Sequence, residues 1–128
     1  MSRAFLLATV LLLGACASAP PVTLQGELTY RERIALPEGA YARVALLEVG
    51  EGGNDLVSEQ ELRRPGQVPI AFSLTVPGEI LEREREYGLR AAIYDRSGAA
   101  RWVTPQTRSV NPFDPPESLV LELRRVGE

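Results

Sequence analysis

The amino-acid sequence predicts an all-β protein, a single antiparallel β-sandwich of about seven strands, or alternatively a small barrel. Apolar and polar residues alternate with period two along most of the chain, as they do in half-buried strands. Turn-forming Pro, Gly, Asn and Asp residues separate these stretches roughly every 10–15 residues. No long stretch has the apolar period of a helix. Together these observations favour an immunoglobulin- or transthyretin-like sandwich.

The first two strands are predicted from residue 22 onward. Apolar residues share one side of residues 22–31 and polar residues share the other. Residues 36–40, Leu-Pro-Glu-Gly-Ala, predict a turn because proline presets φ and glycine permits a positive φ. The second strand follows at 41–49, where Leu47 and Val49 depart from the alternation and predict a bulge or a strand buried on both faces.

The middle of the chain predicts an edge strand, a regular strand and a short crossover. Residues 56–63 are rich in Glu and Gln, which is typical of an edge strand protected by charge. Residues 68–76 alternate without a fault and predict the clearest strand of the chain. Residues 79–86 carry mixed-charge pairs at helical spacing but are too few for a stable helix, so we expect at most a helical turn with Ile80 or Leu81 packed beneath it.

The last third of the chain predicts three further strands. Alternation restarts at 87–93, and Asp95-Arg96-Ser97-Gly98 predicts a hairpin turn that ends in glycine. The return strand is predicted at 101–104. Four prolines make residues 105–116 irregular, and alternating leucines predict a final strand at 119–126.

The N-terminal stretch has the layout of a bacterial lipoprotein signal. A short apolar run follows Arg3 and leads through Leu13-Gly14-Ala15 to Cys16, the only cysteine. We therefore expect residues 1–15 to be a signal peptide, Cys16 to be acylated, and residues 16–21 to form a short tether to a domain at 22–126. Acyl chains contribute ~0.8 kcal/mol per buried CH₂, and two or more of them hold a protein stably on a bilayer.

Three other interpretations of this stretch remain open. A membrane-spanning helix needs about 20 apolar residues, which is more than the run supplies. Ala17-Ser18-Ala19 offers an ordinary cleavage site, which would release a soluble domain. A structural role for Cys16 is disfavoured because the chain has no second cysteine to pair with it.

The composition excludes most catalytic chemistry and does not suggest a nucleic-acid partner. All 14 basic residues are Arg, and the formal net charge is −3, so there is no Lys or His for a Schiff base, a Ser-His-Asp triad or an imidazole metal site. Glu51, Asn54 and Asp55 lack the spacing of a calcium loop. We therefore predict that the chain is not an enzyme, has no cofactor and binds no nucleic acid. A hydrolase that uses paired carboxylates is the enzymatic alternative.

Four sequence blocks resemble the YbaY family of lipoproteins, which shares a domain with the YscW-type lipoprotein chaperones (pilotins) of type III secretion. The blocks are TYRERIALPEGA, ARVALLEV, GQVPIAFSL and YGLRAAIYD, in this order, and the resemblance runs from about Gly26 to Val110. It implies a β-sandwich on the periplasmic face of the outer membrane. Pilotin-like relatives bind a secretin subunit there, so a secretin is the implied partner. Ala17, rather than Asp, after Cys16 also favours the outer membrane if the cell has two membranes.

One stretch of strand and one aromatic residue are candidates for a partner surface. Tyr30, Arg31, Glu32 and Arg33 form an alternating-charge patch, and Trp102 is the sole tryptophan, a residue type enriched in binding hot spots. The alternatives are a solvated strand face for the patch and core packing for Trp102. The resulting hypothesis is a lipid-anchored binding or chaperone domain, with a structural envelope lipoprotein without a client as the alternative.

Overall fold

The computed structural model describes residues 19–127, and these fold into eight strands and one 3₁₀ turn. The 3₁₀ turn, Gly78–Ile80, lies between the fourth and fifth strands. The strands are β1 (Val22–Tyr30), β2 (Tyr41–Gly50), β3 (Gly53–Arg63), β4 (Ile70–Val76), β5 (Glu86–Tyr94), β6 (Ala100–Val103), β7 (Arg108–Val110) and β8 (Leu119–Arg125).

The strands form one mixed sheet that is nearly closed into a barrel. Hydrogen bonds connect them in the order β3-β2-β5-β6-β8-β1-β4, and β7 pairs with β5 beside this path. The strands at the two ends of the path, β3 and β4, come into contact. Every pair is antiparallel except β1 with β8, which is parallel. Gly26 lies in that parallel pair, where a Cβ would be 1.9 Å from the carbonyl oxygen of Leu119, so glycine is required there.

The prediction of an all-β chain is confirmed, but the predicted antiparallel sandwich of about seven strands differs from the observed sheet. The structure has eight strands, and one pair of them is parallel. In addition, Trp102 pairs with Arg125 and Val103 pairs with Arg124, and this pairing joins β6 to β8 in a continuous sheet. Alternation shows which face of a strand is buried, but it contains no information on which strand is its neighbour or in which direction that neighbour runs. The alternative of a small barrel is therefore nearer to the observed fold.

Alternating inward side chains build the core as the sequence predicts. In β4, Ile70, Phe72, Leu74 and Val76 are buried and the three residues between them are exposed. The register of β2 with β3 shifts between Leu46 and Leu47, which confirms the predicted bulge. β3 is an edge strand, as predicted from its charge, although it begins earlier, at Gly53.

The connections also follow the sequence, with one difference at β7. The helical turn is the 3₁₀ turn, which buries Leu81 and leaves Ile80 exposed. The hairpin turn is confirmed: Asp95 Oδ1 accepts hydrogen bonds from the hydroxyl and the backbone N–H of Ser97, and these bonds, the hydroxyl bond foremost, lower the pKa of Asp95. Strand β7 was not predicted, because three residues among prolines are too few to show an alternation.

The strand directions place the termini of the strands at two opposite ends of the barrel. The N-terminal end, as we call it, contains the start of β1 at Val22, the end of β4 at Val76 and the start of β5 at Glu86. The distal end contains Tyr30 at the end of β1 and Arg63 at the end of β3. The two ends, and the outer face of β2, β3 and β5, carry the candidate sites described next.

Candidate partner-binding surface

The predicted acylation site Cys16 lies outside the described residues, but residues 19–21 of the predicted tether lie against the domain. A Cβ on Gly78 would be 2.2 Å from the carbonyl oxygen of Pro20, so the chain passes close to the 3₁₀ turn. Residues 19–23 line a groove of about 500 Å³ together with Leu81, Arg83, Pro112, Phe113 and Pro115. The described part of the predicted tether therefore lies against the N-terminal end of the barrel.

The aromatic members of the predicted patch lie inside the core. Tyr30 and Trp102 are both buried, and their rings stack with centroids 4.4 Å apart and planes 11° from parallel. The Tyr30 hydroxyl donates a hydrogen bond to the carbonyl oxygen of Ile34. Burial, with a smaller contribution from the nearby Glu32 carboxylate, raises the pKa of Tyr30. In this conformation the two rings contribute packing, and neither is available to a partner at the surface.

The charged members of the patch lie at the surface of the distal end. Arg31 forms an ion pair of 2.7 Å with Glu122, with 86% and 48% of the two side chains exposed. Such exposed pairs contribute about 0–1 kcal/mol. Arg33 is exposed, whereas Glu32 is half-buried and its Oε2 has no hydrogen-bond partner among the described residues. The structure thus places Arg31 and Arg33 at the surface, Glu32 in a half-buried position near Tyr30, and the aromatic pair in the core.

A shallow groove on the outer face of β2, β3 and β5 is a candidate site that the sequence did not indicate. Ala45 on β2 and Ala92 on β5 form part of its floor, and Arg43, Arg90 and Tyr94 stand beside them. Its volume is about 340 Å³. We call this the outer groove; the remaining residues that line it are Glu59, Ala91, Val103 and Thr104.

Arg43 lies over two stacked tyrosines at one end of the outer groove. Tyr41 and Tyr94 are cross-strand neighbours whose ring centroids are 5.1 Å apart. The guanidinium carbon of Arg43 is 5.7 Å from the centroid of Tyr41 and 5.3 Å from that of Tyr94. Cation–π contacts of this kind contribute about 0.5–1 kcal/mol at exposed sites. Stacking therefore limits the motion of the guanidinium while leaving its N–H groups accessible.

The ion pairs of Arg43 are long. Its nitrogens lie 3.8 Å from a carboxylate oxygen of Glu59 and 3.8 Å from one of Glu61. Charge-assisted hydrogen bonds between guanidinium and carboxylate groups are usually about 2.7–2.9 Å long. A carboxylate or carbonyl group of a partner can therefore exchange with these contacts at little cost. Alternation placed Tyr41, Arg43 and Ala45 on one face of β2, but only the pairing with β5 brings Tyr94 next to them.

Neither a metal centre nor a spanning helix is found in the part of the chain that the structure describes. Residues 19–127 contain no group of three His, Cys, Asp or Glu side chains arranged to hold a metal ion. Within the same residues, no helix is both long enough and apolar enough to cross a membrane.

Comparison with known proteins relates the chain to bacterial secretion. A model of the family described as "Type III secretion system lipoprotein chaperone (YscW)" matches residues 19–121. Among solved structures, an alternative pilotin from the type II secretion system of Vibrio cholerae is 26% identical, with a TM-score of 0.75. That match covers 85% of this chain and 100% of the pilotin chain. No curated protein sequence matches the chain.

Proposed function

Because the chain belongs to the family of type III secretion system lipoprotein chaperones (YscW), we propose that it is a non-catalytic, pilotin-like chaperone of a secretion system. Its client is a secretin subunit, and acylated Cys16 anchors it to the periplasmic face of the outer membrane. One observation carries this proposal: the family match at residues 19–121 includes β1 to β7 and reaches into β8, rather than a single motif. Membership in the YbaY family, the other part of the resemblance, stays a prediction.

The outer groove supports a binding role. Its small floor residues, Ala45 and Ala92, let a partner approach the sheet closely, and Arg43 supplies fixed hydrogen-bond donors at one end. Ligand and peptide sites commonly combine an apolar floor with a few polar groups at the border. We propose that the outer groove receives part of the client.

The short link between Cys16 and the barrel supports a defined orientation on the membrane. Two residues, Ala17 and Ser18, separate Cys16 from Ala19. Ala19 lines the groove of about 500 Å³ at the N-terminal end of the barrel. Three residue steps of extended chain reach at most about 11 Å. A lipid on Cys16 would therefore hold the N-terminal end of the barrel at the bilayer and direct the distal end toward the periplasm.

The location of the secretin in cells that lack the chain tests this function. We expect secretin multimers to be lost from the outer-membrane fraction of the deletion strain and restored by the intact chain. Fractionation followed by detection of heat-stable multimers measures this. Normal secretin assembly together with altered detergent sensitivity would instead favour a structural envelope lipoprotein without a dedicated client.

A further inference from the structure

Charge is distributed unevenly between the two ends of the barrel. The connection from β4 to β5 at the N-terminal end is acidic, with Glu79, Glu82, Glu84 and Glu86 against two arginines. The distal end instead gathers arginines on neighbouring segments: Arg63 and Arg64 follow one another at the end of β3, and Arg96 lies in the β5–β6 hairpin. A surface of this sign attracts acidic molecules.

A concavity at the distal end brings Arg63 and Arg64 together with Arg43. It has a volume of about 510 Å³, and Tyr41, Arg43, Glu61, Arg63 and Arg64 are among the residues that line it. We call it the distal concavity. Among the described residues that line it, Glu61 is the only acidic one.

The absence of a side chain at Gly39 brings a further arginine to the border of the distal concavity. Gly39, which lines the concavity, has φ of +82°, and a Cβ there would be 3.1 Å from both Cβ and Cγ of Arg96. The aliphatic stem of Arg96 therefore lies against the backbone of Gly39. This contact places the stem of Arg96 next to Gly39, one of the residues that line the distal concavity.

The arginines of the distal concavity are weakly engaged within the chain. Arg63 lies 3.5 Å and Arg43 3.8 Å from the same residue, Glu61, with 82% and 42% of the two arginine side chains exposed. Arg64 is exposed and its backbone has φ of 53°, a left-handed conformation that asparagine and glycine adopt more readily. Arg43 also lies 3.8 Å from Glu59. Because all three of these contacts are longer than the usual charge-assisted hydrogen bond of about 2.7–2.9 Å, the guanidinium groups keep capacity for further carboxylates.

We infer that the distal concavity binds an acidic segment of a partner polypeptide, whose carboxylates pair with Arg43, Arg63 and Arg64. The inference rests on the proposed function for the premise that the partner is a polypeptide, and it adds the chemistry by which that partner is recognised. Guanidinium groups bind carboxylates in a planar, bidentate geometry. The stacking of Arg43 on Tyr41 places one such group before the partner arrives.

Binding of labelled peptides to the purified full chain in detergent tests the inference. The probes are a fluorescein-labelled peptide of alternating Glu and Ser and matched peptides in which Gln or Lys replaces Glu. We expect the Glu peptide to bind at least about tenfold more tightly than the Gln peptide, and its binding to weaken as salt screens the charges. The double variant Arg63→Gln/Arg64→Asn should lose at least about tenfold in affinity for the Glu peptide.

The control variant removes one positive charge elsewhere. Arg108→Gln on β7 lies outside the distal concavity and should retain wild-type affinity; asparagine is chosen at position 64 because it tolerates the positive φ. The inference is overturned if the Gln peptide binds as tightly as the Glu peptide or if the double variant binds normally. Equal loss in Arg108→Gln, or binding of heparin without the Glu peptide, also overturns it. Normal secretin location in the deletion strain would contradict the proposed function, whichever peptide binds.

Discussion

Replacing Trp102 by Ala is expected to destabilise the domain by about 3–5 kcal/mol, the usual cost of truncating a buried aromatic residue. Trp102 is 3% exposed and stacks on Tyr30, so the substitution leaves a cavity beside an unsupported ring. A domain of this size is typically stable by about 5–15 kcal/mol, so much of its free energy of unfolding would be lost. Chemical unfolding followed by circular dichroism measures the change.

Two matched substitutions distinguish a packing role of Trp102 from a role in partner contact. Trp102→Phe keeps an aromatic ring, and the indole N–H that it removes has no acceptor among residues 19–127. This substitution should therefore lower the free energy of unfolding much less than Trp102→Ala. Val120→Ala removes an apolar side chain that is 55% exposed and should change stability by no more than about 0.5 kcal/mol. If Trp102→Ala unfolded like the wild type while capture of the client was lost, Trp102 would be a contact residue, and the assignment to the core would be wrong.

Replacing Cys16 by Ser is expected to move the chain from the membrane fraction to the soluble fraction. Serine cannot carry the thioether-linked diacylglycerol. No helix among the described residues is long enough and apolar enough to hold the chain in the bilayer in its place. Fractionation and blotting measure the change, with Ser18→Ala as the control that should stay in the membrane fraction. The free energy of unfolding of the Cys16→Ser domain should equal that of the wild type. Retention in the membrane, or loss of the fold, would contradict the separation of anchor from domain.

The proposed lipid anchor at Cys16 also predicts how the domain is oriented on the membrane. Ile80 at the N-terminal end and Ile34 at the distal end are 49% and 46% exposed, so Ile80→Cys and Ile34→Cys give matched labelling sites. A strand of nine residues such as β1 spans about 30 Å between the two ends. An environment-sensitive label should shift to the blue on vesicles only at position 80. Equal shifts at both positions would contradict the orientation.

The parts of the fold that could be predicted are those encoded by neighbouring residues. Alternation alone identifies the buried face of β4, and the departure at Leu47 identifies the bulge in β2. The parallel pairing of β1 with β8 and the link from β6 to β8 join residues that are far apart in the chain, so no local pattern indicates them. Because of these two pairings, the strands form one sheet that is nearly closed into a barrel, instead of the predicted sandwich.

The candidate sites also differ in whether neighbouring residues encode them or whether they depend on strand pairing. The side chains of Arg31 and Arg33 are exposed, whereas Tyr30 and Trp102 are stacked in the core. A role of the two arginines in partner contact stays a prediction. Both the outer groove and the distal concavity depend on cross-strand neighbours, as Arg43 beside Tyr94 illustrates. Such surfaces can be recognised only once the register of the strands is known.

Capture of a secretin subunit by the full chain in intact cells tests the proposed chaperone function most directly. Cross-linking in intact cells, followed by purification of the chain, should recover the secretin with the wild type. Ala92→Arg, which fills the floor of the outer groove, should reduce recovery at least about tenfold. Ala71→Arg, the same substitution at an exposed position of β4, should leave it unchanged. Failure of the wild-type chain to recover the secretin, although membrane-bound and folded, would contradict the proposed function.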